Sequence, residues 1–170
     1  KVKAEFSLAD DLWPVEFDEG QMIQVISNLV INADEAMPQG GVIRIRARNM
    51  VIGKRRSRLL PEGRYVEVTV KDEGVGIPKE HISKIFDPYF TTKQKGSGLG
   101  LATAYSIIKN HGGHISVRSQ LGVGTTFYIY LPAAEKAARP RKQPRVEAQD
   151  VSRPTGKGRI LVMDDEEMIR

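Results

Sequence analysis

The chain has 170 residues, of which 40% are hydrophobic and 28% are charged. This length and composition predict one globular domain with a short extension, and they exclude a largely disordered chain. The chain contains no cysteine, which excludes disulfide bonds, cysteine-ligated metal centres and thiol nucleophiles. Its apolar runs are too short to span a membrane, so we expect a cytoplasmic protein with no direct membrane contact.

The net charge of +5 at pH 7 is unevenly distributed along the chain. Residues 133–159 carry eight Lys and Arg side chains against three acidic ones, whereas residues 160–170 carry one against four. A basic excess in one short stretch does not indicate a basic face on a folded domain. We therefore expect no nucleic-acid partner.

The distribution of residue types divides the chain into three segments. Residues 1–132 have the alternating and helical patterns of a folded domain, and residues 133–158 are rich in Pro, Lys and Arg, as a linker is. Residues 159–170 begin with the sequence RILVMDD, which predicts a short buried strand that ends in acidic residues.

The first predicted element is a helix over residues 18–37. Its apolar side chains recur at three- and four-residue spacing, and Asp18 with Gln21 is typical of a helix N-terminus. The next element is a strand over residues 42–51, in which Ile43 and its alternate neighbours form one face and three arginines form the other.

The remaining elements alternate between strand and helix. Val66 to Val70 predict a strand, a short helix begins after Pro78, and residues 99–110 form a second long helix. Residues 115–119 and 125–131 predict a hairpin. The predicted fold is an α/β two-layer sandwich, with a mixed, largely antiparallel sheet and helices on one face.

Polar side chains on the first long helix are compatible with a cation site. Asn28, Asn32 and Glu35 are spaced so that they share one helix face. An amide oxygen is a neutral ligand that suits Mg²⁺, which also takes ligands from substrate phosphates. The alternative is a solvated polar face without a ligand.

A glycine-rich turn follows the second predicted strand, at residues 72–78 (DEGVGIP). Glycines allow a flat ligand to approach the backbone, and the Asp72 carboxylate can accept a hydrogen bond from an exocyclic amine such as that of adenine. A simple turn is the alternative. A dinucleotide-binding fingerprint is excluded because Lys79 stands at its third glycine position.

A second glycine-rich segment opens the second long helix, at residues 93–101 (KQKGSGLGL). Backbone N–H groups at a helix start bind anions, and Lys93 and Lys95 add positive charge there. This combination favours phosphate binding over a merely flexible loop.

Five motifs, taken together in their order along the chain, resemble those of a known family. Residues 28–37 resemble its N box, residues 86–93 its F box, and residues 72–76, 96–101 and 122–127 its three glycine boxes. The family is the catalytic and ATP-binding domain of sensor histidine kinases, within the gyrase, chaperone, histidine-kinase and mismatch-repair ATP-binding superfamily. The resemblance covers the chain from about Phe6 to Leu131, and it implies a Bergerat-type fold.

The resemblance implies the role of each motif residue. Asn32, with Asn28, would hold Mg²⁺ between the phosphates of ATP, and Asp72 would accept a hydrogen bond from the adenine amino group. Thr126 would support adenine recognition through water, and residues 91–95 would form a mobile lid. The adenine pocket would be shaped by Gly74, Gly76 and Ile77. The phosphates would be bound by Gly96, Ser97, Gly98, Leu99, Gly100 and Leu101.

One position departs from the family pattern. Many relatives carry a lysine where this chain has Glu35, so Lys93 or Lys95 would supply the cation that contacts phosphate.

A second position separates kinases from ATPases, because hydrolytic members have a glutamate that activates water four residues before the metal-binding asparagine. Here that position is Asn28, and an amide is not a general base at neutral pH. Phosphoryl transfer is therefore expected, since it depends mainly on positioning and charge stabilisation.

The phosphoacceptor histidine of the family is usually followed by an acidic residue. None of His81, His111 and His114 is followed by one. We therefore expect the acceptor on a dimerisation domain outside this chain. Residues 159–170 resemble the first strand of a receiver domain, which implies a hybrid kinase in a phosphorelay.

Two other functions stay open at this point. The first is a hydrolytic ATPase of the same superfamily. The second is a non-catalytic interaction module, whose basic segment would contact nucleic acid.

Overall fold

The computed structural model describes residues 1–53, 60–93 and 96–134. The predicted linker beyond residue 134, the predicted receiver strand and Lys95 lie outside these residues.

The chain begins with a strand that the sequence analysis did not predict. Strand β1 (Val2–Leu8) pairs in parallel with β2 (Gly41–Ile52), and helix α1 (Glu19–Glu35) connects the two. Apolar and polar residues alternate throughout β1, which is the pattern of a half-buried strand. It lies at the edge of the sheet, and Phe6 and Leu8 are largely exposed.

Helix α1 has the predicted N-terminus. The Gln21 backbone N–H donates to Oδ1 of Asp18 at 2.8 Å, which satisfies one of the first amides of the helix. Val25, Leu29 and Ala33 are buried along the predicted apolar stripe. The observed helix ends two residues before the predicted end.

The other strands and helices also lie where they were predicted. Strand β3 (Gly63–Lys71) precedes helix α2 (Lys79–Ile82) and helix α3 (Gly100–Asn110), and β4 (His114–Gln120) and β5 (Gly124–Pro132) form the closing hairpin. The strand order is β1-β2-β3-β5-β4, and every neighbouring pair except β1 and β2 is antiparallel.

One hydrophobic core lies between the sheet and the helices. Leu29 of α1 and Ile108 of α3 are fully buried against strand residues such as Ile43 and Ile129. Truncating one of these side chains to alanine costs about 2–5 kcal/mol. Helices on one face of a mixed sheet confirm the predicted two-layer sandwich. In the described part of the chain, no helix has both the length and the apolar character required to cross a membrane.

Candidate functional site

A cavity of about 460 Å³ lies between α1, the glycine turn after β3 and the start of α3. This volume suits a ligand of nucleotide size. Twelve of the residues predicted for the site line the cavity: Asn28, Asn32, Glu35, Asp72, Gly76, Ile77, Lys93, Gly96, Ser97, Gly98, Gly100 and Leu101.

The Asp72 carboxylate lies deep in the cavity, where its side chain is fixed by backbone donors. Its Oδ1 accepts from the N–H groups of Gly74, at 2.9 Å, and Thr125, at 3.1 Å. Asp72 is 4% exposed, and burial raises the pKa of its carboxyl group, although the two backbone donors oppose that shift. The turn thus presents a rigid, buried acceptor to a ligand.

Glycine at position 76 is required by the shape of this turn. Gly76 has a φ of +74°, and a Cβ atom there would lie 2.2 Å from the carbonyl oxygen of Gln120. Gly74, which does not line the cavity, packs behind Asp72 on the backbone of Ala36. Both glycines therefore allow the turn to pack closely against neighbouring backbone.

The start of α3 closes the other end of the cavity. Gly98 has a φ of +69°, and a Cβ atom there would lie 2.4 Å from the backbone of Tyr89. The N-cap residue is Leu99, and its side chain makes no capping hydrogen bond. The first N–H groups of α3 have no partner within the helix, which is the arrangement that binds anions.

Three polar side chains of α1 meet the start of α3 and the loop before it. Nδ2 of Asn28 donates to the carbonyl oxygen of Gly100 at 3.0 Å. Nζ of Lys93 donates to Oδ1 of Asn32 at 2.8 Å and forms an ion pair with Glu35. The predicted cation of Lys93 therefore lies in the cavity, at the end formed by α1 and the start of α3.

The donor set at this end suits Mg²⁺ held together with a nucleotide. The oxygens come from amides and one carboxylate, and no cluster of three His, Cys, Asp or Glu residues that could hold a metal occurs in residues 1–53, 60–93 and 96–134. Mg²⁺ keeps several waters and takes further oxygens from phosphates, so one or two protein ligands suffice. Asn32 and Asn28 would be those ligands.

Two predicted residues lie elsewhere. Thr126 faces the opposite side of the sheet, in a groove that it lines with three arginines of β2, so its prediction as an adenine contact is wrong. Alternation along β5 places Thr125 in the cavity instead. Leu99 is 40% exposed and does not line the cavity, so only its backbone can take part in a phosphate site.

Most of the apolar wall of the cavity was not predicted from the sequence. Phe90 belongs to a quoted motif, but no role was assigned to it, and its ring contacts His81 edge-on with 5.5 Å between ring centroids. The other missed apolar residues are Ile31, Ala33, Ala36, Val75, Pro78, Ile85 and Phe127. An apolar wall with a few placed polar groups is typical of a pocket that binds a small molecule.

The chain is similar to known proteins in both sequence and structure. Residues 17–135 match the family model described as "Histidine kinase-, DNA gyrase B-, and HSP90-like ATPase". Sensor kinase CckA of Brucella abortus (strain 2308) is 46% identical over 172 residues, which cover 94% of this chain and 18% of that protein. The chain therefore spans less than a fifth of that relative's length.

Solved structures agree with the sequence match. The nucleotide-free catalytic domain of histidine kinase ThkA superposes with a TM-score of 0.62 and 34% identity, over 78% of both chains. Full-length ShkA in complex with AMPPNP gives a TM-score of 0.64 and 26% identity, over 81% of this chain and 27% of that one. The chain belongs to the family of histidine kinase-, DNA gyrase B- and HSP90-like ATPases.

Proposed function

We propose that this chain is the ATP-binding catalytic module of a sensor histidine kinase. It would position the γ-phosphoryl group of Mg²⁺-ATP for transfer to a histidine on a dimerisation domain. The observation that carries the proposal is one cavity with a buried Asp72 carboxylate at one end and the cation of Lys93 at the other.

The two ends of the cavity match the two ends of the nucleotide. Asp72 accepts a hydrogen bond from the adenine amino group, while Gly76 and Ile77 form part of the pocket around the base. Asn32 and Asn28 supply amide oxygens to Mg²⁺, which balances the phosphate charge when it is bound. The phosphates lie against the backbone of Gly96, Ser97, Gly98, Leu99, Gly100 and Leu101, the segment that opens α3.

Asn28 favours transfer over hydrolysis. Its amide is engaged with the carbonyl of Gly100, and an amide takes no proton from water at neutral pH. Catalysis then consists of holding the phosphates in place and neutralising their charge, which suits an acceptor brought by another domain.

The remaining elements of this proposal concern the longer protein. The partners are the dimerisation domain, with its phosphoacceptor histidine, and a receiver domain that follows residues 133–158. The protein is a bacterial hybrid kinase that acts in the cytoplasm, where ATP is available.

The test is phosphoryl transfer between separate proteins. The chain is incubated with Mg²⁺ and ATP labelled at the γ-phosphate, together with the purified dimerisation domain of a related sensor histidine kinase. We expect acid-labile label on that domain, and none when its phosphoacceptor histidine is replaced by glutamine. Steady release of inorganic phosphate by the chain alone, with no label on the added domain, would show a hydrolytic ATPase instead.

A further inference from the structure

Lys93 contacts one residue that the metal would also need, Asn32, and one acid at the same end of the cavity, Glu35. Its ammonium group donates to Oδ1 of Asn32 at 2.8 Å and pairs with the carboxylate of Glu35. Positions 32 and 35 lie one turn apart on α1, so a single ammonium group reaches both. Lys93 and Glu35 keep about half of their side-chain surface exposed, at 45% and 50%. A pair this accessible can exchange partners without unpacking the core.

The position of Glu35 creates a competition for one cation. Lys93 is the one Lys or Arg side chain among the described residues that line the cavity. A carboxylate and a phosphate cannot both have close contact with the same ammonium group without repelling each other. In addition, a Mg²⁺ ion on Oδ1 of Asn32 would lie beside the ammonium group that now donates to that oxygen.

We propose that Glu35 holds Lys93 in the nucleotide-free state and releases it to the phosphates when Mg²⁺-nucleotide binds. This inference rests on the proposed function, and it adds a residue that sets nucleotide affinity. Glu35 is then a positioning residue that lowers affinity for the phosphate part of the ligand and leaves affinity for the adenine part unchanged.

The expected effect is modest because the ion pair is half exposed. Such pairs change equilibria by about two- to five-fold. Glu35→Gln removes the competing charge and keeps the side-chain shape. We therefore expect Glu35→Gln to bind Mg²⁺-ADP more tightly than the unaltered chain, and to bind adenosine equally well.

A double-mutant cycle separates competition from simple repulsion between Glu35 and the phosphates. The proteins are the unaltered chain, Glu35→Gln, Lys93→Met and the double variant, and calorimetry gives the Kd of Mg²⁺-ADP and of adenosine for each. Competition makes the gain from Glu35→Gln about two- to five-fold larger when Lys93 is present than when it is methionine. Asp34→Asn is the matched control, because Asp34 is an exposed acid on the same helix outside the cavity lining, and its Kd should not change.

Each other outcome overturns the inference. An equal gain in both backgrounds shows repulsion alone, and weaker binding by Glu35→Gln shows that Glu35 directs Lys93 onto the phosphate. Thermal unfolding of every variant confirms that it is folded before titration. Failure of the unaltered chain to bind Mg²⁺-ADP overturns the proposed function itself, so the two failures are distinguishable.

Discussion

Replacing Asp72 by asparagine should separate ligand recognition from folding. The asparagine amide oxygen can still accept from the backbone N–H groups of Gly74 and Thr125, as Oδ1 does now. The remaining carboxylate oxygen becomes an NH₂ group, which is a donor facing the adenine amino donor. The variant should therefore fold as before and bind adenine nucleotides poorly.

The size of both effects follows from the contacts of Asp72. A hydrogen bond to a charged group contributes about 1.5–3 kcal/mol, so the Kd for ATP should rise by about 10- to 150-fold. Burial raises the pKa of Asp72, so the folded state binds this proton more tightly than the unfolded chain does. The stability that this carboxyl contributes is present below its unfolded pKa and is lost as pH rises through its higher folded pKa. At neutral pH, the free energy of unfolding of Asp72→Asn should equal or exceed that of the unaltered chain.

Asp72→Ala is the contrasting variant. It leaves two buried N–H groups without an acceptor, at a cost of about 1–3 kcal/mol each. Urea unfolding and calorimetric titration with ATP at pH 7 measure both quantities for the two variants. ATP binding by Asp72→Asn within two-fold of the unaltered chain would refute the assignment of Asp72. If Asp72→Asn lowers the free energy of unfolding as much as Asp72→Ala does, the role given to Asp72 as acceptor for the two backbone N–H groups is refuted.

Three further predictions concern the stability of the fold. Arg48→Ala removes the arginine that lies 2.6 Å from the carboxylate of Glu67, which is 4% exposed and keeps only Tyr130 as a side-chain partner among the described residues, so urea unfolding should show a loss of about 1–3 kcal/mol. Arg46→Ala, which removes an exposed arginine that forms no salt bridge with any described residue, should change stability by less than about 0.5 kcal/mol. Gly76→Ala places a Cβ atom 2.2 Å from a carbonyl oxygen, which should cost about 1–3 kcal/mol in urea unfolding and weaken ATP binding. Burial and the nearby Glu67 carboxylate raise the pKa of Tyr130 to about 12, so the stability that its neutral phenol contributes should be lost as pH rises from 10 through 12. Ionisation of Tyr130 should appear in a pH titration as a phenolate absorbance step that Tyr130→Phe lacks.

These three predictions can each be contradicted. Equal stability losses for Arg48→Ala and Arg46→Ala would show that the buried acid does not need its partner. If Gly76→Ala changes neither the free energy of unfolding nor ATP binding, the turn can relax around the added Cβ atom. If the absorbance step that Tyr130→Phe removes lies at pH 10, the phenol of Tyr130 is solvated.

Local sequence signals were sufficient for most of the secondary structure. The start of α1 was predicted because Asp18 and the apolar spacing after it act within one helical turn. Strand β1 was missed although Val2, Ala4 and Phe6 alternate with polar residues. Its parallel pairing with β2 joins residues about forty positions apart, and no local signal specifies that pairing.

The candidate site was predictable where motif and geometry coincide. Asp72 and Asn32 lie in the predicted cavity because each belongs to a short motif at the end or on the face of one element. The prediction of Thr126 came from the motif alone, and alternation along β5 would have selected Thr125. The pairing of Lys93 with Glu35 depends on how a loop folds back onto α1, over a separation of 58 residues that sequence periodicity does not describe.

The most direct test of the central claim is a calorimetric titration of this chain with ATP, with and without Mg²⁺, followed by a phosphate-release assay of the same sample. We expect saturable binding of one nucleotide per chain, tighter with Mg²⁺, with GTP bound more weakly and with negligible phosphate release. Absence of binding, or sustained release of phosphate by the chain alone, would contradict the identification of this cavity as the nucleotide site of a kinase.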